Sequence, residues 1–292
     1  MLAATQWFSV TCAAVLPANA GDTMTRTIAV ANQKGGVGKT TTAINLSASL
    51  ARMRRRILLV DLDPQANASA GCNIDREGIE HSSYSVLLGL CEAREAIETT
   101  AFGVDVLPAE ADLAGLQVEL VGAEDRDFRL RSALKTLDQY DYILIDCPPA
   151  LNMLTINALI AASSVLIPVQ CEYFALEGLS GLLETIARVR KAHNPSLAIE
   201  GLLRTMYDRR NRLANEVADQ LREHFPDNLF RTVVPRNVRL AESPSYGMPV
   251  IDYDAKCAGS EAYLALAGEM IAPAGGGQHR RTENTHQPVS EP

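Results

Sequence analysis

Lys34-Gly35-Gly36-Val37-Gly38-Lys39-Thr40-Thr41-Thr42 decides how this chain folds. An apolar run at 28–31 precedes it, and a helical pattern at 43–53 follows it. Strand, glycine loop and helix in that order build a phosphate cradle. Glycines let backbone N–H groups turn inward, and the helix adds the positive end of its dipole. In such a loop the backbone from Gly35 through Val37 and Gly38 to Thr41 wraps a polyphosphate. Lys39 reaches the β- and γ-phosphates, and the Thr40 hydroxyl holds Mg²⁺.

The usual loop carries a glycine at the place occupied here by Gln33, and a second lysine, Lys34, follows it. A lysine on the rim of an anion-binding loop is hard to justify by packing. Against the bland reading, a solvated loop lysine, stands the sharper one: Lys34 carries charge to a phosphate, its own or one bound by a second subunit. The nonapeptide resembles the deviant Walker A motif of the ParA/MinD group of P-loop ATPases. In that group the early lysine crosses an ATP-sandwich dimer to the partner's phosphates. The resemblance therefore implies a homodimer when ATP is bound, with Lys34 both nucleotide-binding and catalytic.

Working outward, Val60-Asp61-Leu62-Asp63-Pro64-Gln65 ends a second apolar run. Carboxylates at the carboxyl end of a parallel strand face the ligand crevice, and Pro64 restricts the exit of the chain. One of the two acids is expected to face the metal or the attacking water; capping of the next helix is the structural alternative. The pattern looks like the family's switch I, which makes Asp63 the expected water-positioning residue. Asp146 ends the run 142–145 and precedes Cys147-Pro148-Pro149. An apolar strand ending in Asp downstream of a phosphate loop is the Walker B arrangement, which puts Asp146 on Mg²⁺, often through water. It is similar to the family's switch II.

Strand candidates at 28–31, 57–60, 104–107, 142–145, 165–169, 199–206 and 229–234 alternate with helical patterns such as 126–139 and 176–193. Several are continuous apolar runs, as expected of parallel strands covered on both faces. The fold class is α/β: one doubly wound, mostly parallel sheet with helices on both faces. The uncharged stretch 151–169 is long enough to span a bilayer, but its Asn, Thr, Ser and Pro residues suit a helix at 151–162 followed by a buried strand.

Residues 204–239 hold eight arginines against five acids, a local charge of +3 in a chain of net charge −8. Arg209, Arg210 and Arg212 cluster where a helix is expected to begin, with Leu213, Val217, Leu221 and Phe225 along one face. Cations at a helix N-terminus oppose its dipole, so an external anion such as a DNA phosphate would complete them; a solvated loop is the plain alternative. Met206-Tyr207-Asp208-Arg209-Arg210-Asn211 resembles a segment of Soj-type proteins whose arginine binds double-stranded DNA without sequence preference. Arg210 matches that arginine, whereas Arg209 replaces the usual glycine. Arg239 belongs to the same basic region. The run from Pro235 to Pro244 resembles the family's adenine-proximal segment, which implies base contacts from Pro235 and Asn237. Cys171 to Leu179 matches a segment expected near the dimer interface.

The remaining sequence bounds the reading. The chain has 292 residues, 47% apolar and 21% charged, as in an ordinary globular protein. Its six cysteines form no Cys-x-x-Cys pair or zinc spacing, which speaks against an iron-protein-type carrier. Residues 7–16 imitate a signal-peptide core without a preceding Lys or Arg; residues 1–24 are expected to be an extension, with Met24 as an alternative start. Residues 25–272 form the ATPase domain, and 273–292, rich in Gly, Gln, His and Pro, a disordered tail. That tail lacks the basic amphipathic helix that a MinD-type membrane ATPase needs, so no stable membrane association is expected. The resemblance covers about residues 25 to 271. It implies a cytoplasmic, nucleoid-associated, slow ATPase that partitions DNA with a ParB/Spo0J-type stimulating protein; positioning of a non-DNA cargo is the alternative.

Overall fold

The computed structural model describes residues 25–75 and 78–272. The expected extension at 1–24 and tail at 273–292 lie outside them. The strands are β1 (Arg26–Val30), β2 (Ile57–Asp61), β3 (Glu98–Thr99), β4 (Asp105–Leu107), β5 (Tyr142–Asp146), β6 (Ser164–Gln170), β7 (Ala198–Tyr207) and β8 (Leu229–Pro235). The main helices are α1 (Lys39–Arg52), α2 (Asn67–Gly71), α3 (Ser83–Leu88), α4 (Leu116–Glu119), α5 (Arg129–Leu134), α6 (Met153–Ala161), α7 (Ala175–Ala192), α8 (Arg212–His224), α9 (Val238–Glu242), α10 (Val250–Tyr253) and α11 (Ala258–Ile271).

The strands form one sheet in the order β3-β4-β2-β5-β1-β6-β7-β8, parallel except for β3 against β4. Each strand sends alternate side chains to opposite faces. Ala29, Leu58, Val60, Ile143 and Val165 join the core under α5 to α8. Ile28, Val30, Leu59, Leu144 and Leu166 join the core under α1 and α11. The doubly wound α/β class expected from the pattern is therefore the fold, and every parallel strand points its carboxyl end at one edge of the sheet.

The bilayer-length stretch resolves as expected. Asn152 caps α6 by accepting from the amides of Leu154 and Thr155, the helix ends before Ala162, and β6 continues as a buried strand. Among the described residues no helix is long and apolar enough to cross a membrane. Pro168 lies beyond the residues that β6 pairs with β1, and the Asn32 side chain donates to its carbonyl at 2.7 Å.

Three elements differ from expectation. The phosphate loop passes into α1 at Lys39, four residues earlier than the apolar pattern, because Thr42 N–H already bonds Gly38 C=O. The helix expected over 126–139 shrinks to Arg129–Leu134. Asn157 of α6 inserts between Arg126 C=O and Leu130 N–H, which a continuous helix would have joined to each other. The two-residue strand β3 has both side chains exposed and so leaves no apolar signal.

Candidate nucleotide-binding site

Gly36 and Gly38 sit at φ 73° and 87°, the left-handed region that a Cβ disfavours, and they turn the loop back toward α1. Val37 is buried, and its carbonyl accepts the Thr205 hydroxyl of β7 at 2.8 Å, which pins the loop from outside. Asn32 accepts the Lys34 amide at 3.0 Å. Behind the loop, Thr42 is buried against the Tyr263 hydroxyl of α11 at 3.1 Å. The loop is thus fastened by β7 and α11, elements far away in sequence.

Lys39 is buried, with its ammonium bonded to the Lys34 carbonyl at 3.2 Å. Desolvation pulls its pKa below the usual lysine value, although Asp146 and Asp63 pull the other way. A cation held in a dry loop and partly repaid by nearby carboxylates gains most from an added polyphosphate.

Asp61, Asp63 and Asp146 gather opposite the loop. Asp61 is fully buried and accepts Ser69 N–H and Ser69 O–H, each at 2.8 Å, and Asp63 N–H at 3.1 Å. It anchors the chain after β2, which is the structural role weighed for it. Burial raises its pKa to about 6 against those hydrogen bonds. Asp63 accepts Gln65 N–H at 3.0 Å, so the turn through Pro64 holds its carboxylate at the crevice.

Asp146 is also fully buried, but neither of its oxygens has a partner at hydrogen-bond geometry among the described residues. Desolvation and the Asp61 charge lift its pKa well above the carboxylate range, while nearby Thr40 and Lys39 lower it. A dry, unpartnered carboxylate beside a threonine hydroxyl and across from a phosphate loop is a fitting donor set for Mg²⁺. Cys147 is buried, and its thiol titrates far above neutral. The five described cysteines are free thiols.

Lys34 has a partner that sequence reasoning missed. Its ammonium pairs with Glu172 of the same chain at 2.5 Å. Beside it, Tyr173 and Phe174 are 76% and 63% exposed and meet edge to face at 5.0 Å. Glu172 was visible only as part of a matching segment, since 138 residues separate it from Lys34.

β7 and β8 bring the basic region together, with Tyr207 paired to Pro235. Three of these arginines have carboxylate partners within the chain. Arg210 forms a two-pronged pair with Asp208, Arg212 pairs with Glu216, and Arg239 pairs with Glu242 and Asp254. Asn211, not an arginine, caps α8 by accepting Ala214 N–H. The Asp208 carboxyl falls to about 2 under the Arg210 guanidinium. Leu213 is 40% exposed, so the buried face of α8 runs through Ala214, Val217, Ala218 and Leu221 instead. Arg209 and Arg236 make no ion pair among the described residues, and Arg236 lies near enough to Asp208 to depress its pKa. Asn237 caps α9 through Arg239 N–H at 2.8 Å.

Residues 25–199 match the family model described as an AAA domain. Over 251 residues the chain is 53% identical to the chromosome partitioning protein ParA of Caulobacter vibrioides, covering 85% of this chain and 94% of that one. It is 51% identical to the sporulation initiation inhibitor protein Soj of Bacillus subtilis, covering 85% and 99%. Cobyrinic acid a,c-diamide synthase of Mycobacterium smegmatis, solved with an ATP analogue and magnesium, superposes with a TM-score of 0.74 at 38% identity, covering 84% and 93%.

Proposed function

This chain belongs to the ParA/Soj family of chromosome-partitioning ATPases and hydrolyses ATP with Mg²⁺, and on that premise we propose that bound ATP closes two copies into a DNA-holding dimer. The dimer binds double-stranded DNA without sequence preference, and a ParB-type partner triggers hydrolysis and release. The observation that carries this reading is the rim of the loop. Lys34, Tyr173 and Phe174 stand together at the crevice, half or more exposed in the case of the aromatics, where a second copy would cover them.

The residues would divide the work as follows. Backbone amides from Gly35 to Thr41, with Lys39, hold the phosphates and offset developing negative charge. Thr40 and Asp146 would hold Mg²⁺, Asp146 through water, and the ion supplies neutralisation of charge on the phosphate oxygens. Asp63 orients the attacking water. Lys34 must leave Glu172 to reach the partner copy's nucleotide. Pro235 and Asn237 bound the place of the base. Among the described residues no side chain stands as a strong base beside the phosphate loop, so unaided turnover is slow. Arg210, Arg212 and Arg239 hold DNA by exchanging their internal carboxylates for phosphates, Arg209 meets a phosphate without such an exchange, and DNA binding keeps the protein on the nucleoid in the cytoplasm.

A DNA mobility-shift assay with ATP, ADP and no nucleotide tests the reading. Retardation with ATP alone is the expected result; equal retardation in all three conditions would overturn it.

A further inference from the structure

The peptide joining Val37 to Gly38 lies between two left-handed glycines, Gly36 at φ 73° and Gly38 at φ 87°. Glycine passes between left- and right-handed backbone at little steric cost, so the loop's own covalent geometry does not fix which way this peptide faces. The Thr205 hydroxyl does. It donates to Val37 C=O at 2.8 Å from a side chain only 2% exposed. In a trans peptide the C=O and the following N–H point in opposite directions. Turning Val37 C=O outward to β7 therefore turns Gly38 N–H inward, into the phosphate loop. No group among the described residues accepts that N–H. A Cβ built on Gly38 would lie 3.9 Å from Thr205 Cβ and Cγ2, so the same side chain also closes the outer wall of the loop.

Thr205 is in turn held by its strand. On one side β7 runs in register with β6, with Gln170 opposite Thr205. On the other side the pairing with β8 shifts both before and after Arg204, which interrupts the ladder next to Thr205. Arg204 bridges that interruption by donating to Phe230 C=O at 2.9 Å and Arg231 C=O at 3.2 Å. It is buried and forms no ion pair among the described residues. A buried cation without a carboxylate partner is costly, and here it stands beside the residue that grips the loop.

We infer that Thr205 is a positioning residue for the nucleotide: its hydroxyl keeps the Gly38 amide aimed at a phosphate oxygen, and Arg204 steadies the strand that presents it. The hydroxyl is committed to Val37, so Thr205 acts through the loop and not on the phosphate. A donor fixed in advance needs no reorganisation when the anion arrives. Without the hydroxyl, the peptide between the two glycines must be turned first, which weakens phosphate binding while the fold stays intact. The inference rests on the loop being the phosphate site, as proposed above.

The test compares the full-length chain with four variants. Thr205→Val keeps the branched shape and removes the hydroxyl, Thr205→Ala is a second variant without it, and Thr205→Ser retains it. Thr100→Val removes a buried threonine-to-carbonyl bond of the same kind, to Val104 C=O at 2.7 Å, in the turn between β3 and β4. N-methylanthraniloyl-ATP with Mg²⁺ measures affinity by fluorescence, and glycine-selective isotope labelling reports the Gly38 amide resonance. Thr205→Val and Thr205→Ala should lose at least about tenfold in affinity, the size of one hydrogen bond to a charged group. Thr205→Ser should stay within about twofold of wild type, and Thr100→Val should bind as wild type does. The nucleotide should shift the Gly38 resonance in wild type and Thr205→Ser and leave it nearly unmoved in Thr205→Val. Wild-type affinity without the Thr205 hydroxyl, an equal loss in Thr205→Ser, or an equal loss in Thr100→Val would each overturn the inference. Lys39→Ala separates it from its premise. Wild-type affinity in Lys39→Ala would remove the loop as the phosphate site. Affinity lost in Lys39→Ala but kept in Thr205→Val would overturn the role of Thr205 and leave the site standing.

Discussion

Asp61 and Asp146 stand opposite each other at the carboxyl ends of neighbouring parallel strands, yet Asp61 accepts three hydrogen bonds and Asp146 accepts none among the described residues. Both are fully buried. One carboxylate is spent on the fold, and the other is held dry for a cation.

Asp146→Asn should therefore stabilise the nucleotide-free chain, because a buried charge without a partner costs more than a neutral amide. A gain on the order of 1–3 kcal/mol is expected from thermal melting in EDTA. Adding Mg–ATP should raise the melting temperature of wild type and leave the variant little changed. A variant less stable than wild type in EDTA would refute the reading of Asp146.

Asp61 and Asp63 should separate cleanly. Asp61→Ala strands Ser69 N–H in the core and should cost roughly 2–4 kcal/mol, measured by urea unfolding. Asp63→Ala should keep the fold and ATP affinity while losing at least about 100-fold in phosphate release. Comparable hydrolysis by the Asp63 variant would remove its proposed role.

Glu269 of α11 braces the edge strand β8 by accepting Arg231 N–H at 2.8 Å and Thr232 N–H at 3.0 Å. Desolvation pushes its pKa up, but the hydrogen bonds outweigh it and the net shift is downward. Its contribution to stability is therefore present above the ordinary glutamate range and lost as pH falls through the depressed value. Glu269→Gln should destabilise the chain by about 1–2 kcal/mol at neutral pH, with the difference narrowing in acid. Denaturant melts at pH 7 and in acid check the sign.

Because Asp208 occupies Arg210, Asp208→Asn should tighten ATP-dependent DNA binding. Arg210→Glu should weaken it and lower the salt slope by about 1 for one lost phosphate contact. Filter binding over a salt series measures both. An unchanged affinity in the two variants would move the DNA contact elsewhere, to Arg212, Arg239 or the two arginines without an ion pair among the described residues, Arg209 and Arg236.

Local pattern carried most of the fold. Apolar runs, the glycine loop and acids at strand ends marked β1, β2, β5 and the crevice, because parallel strands buried on both faces read as continuous runs. What the pattern hid depends on distant pairs. Asn157 cuts the expected helix at 126–139, Glu172 claims Lys34, and Thr205 pins Val37. Asp208 and Glu216 lie close in sequence to the arginines they neutralise, so that pairing was legible, but counting charges does not reveal it. Asp61 and Asp63 differ in sequence only by the Pro64-Gln65 that follows Asp63, and Ser69 shows what Asp61 does instead.

Sedimentation velocity of the Asp63→Ala chain, with ATP, with ADP, and with ATP after adding Lys34→Ala, tests the central claim most directly. The account expects a dimer with ATP, a monomer with ADP, and loss of the ATP dimer when Lys34 is removed. A monomer at high concentration with ATP, or an ATP dimer indifferent to Lys34, would contradict it.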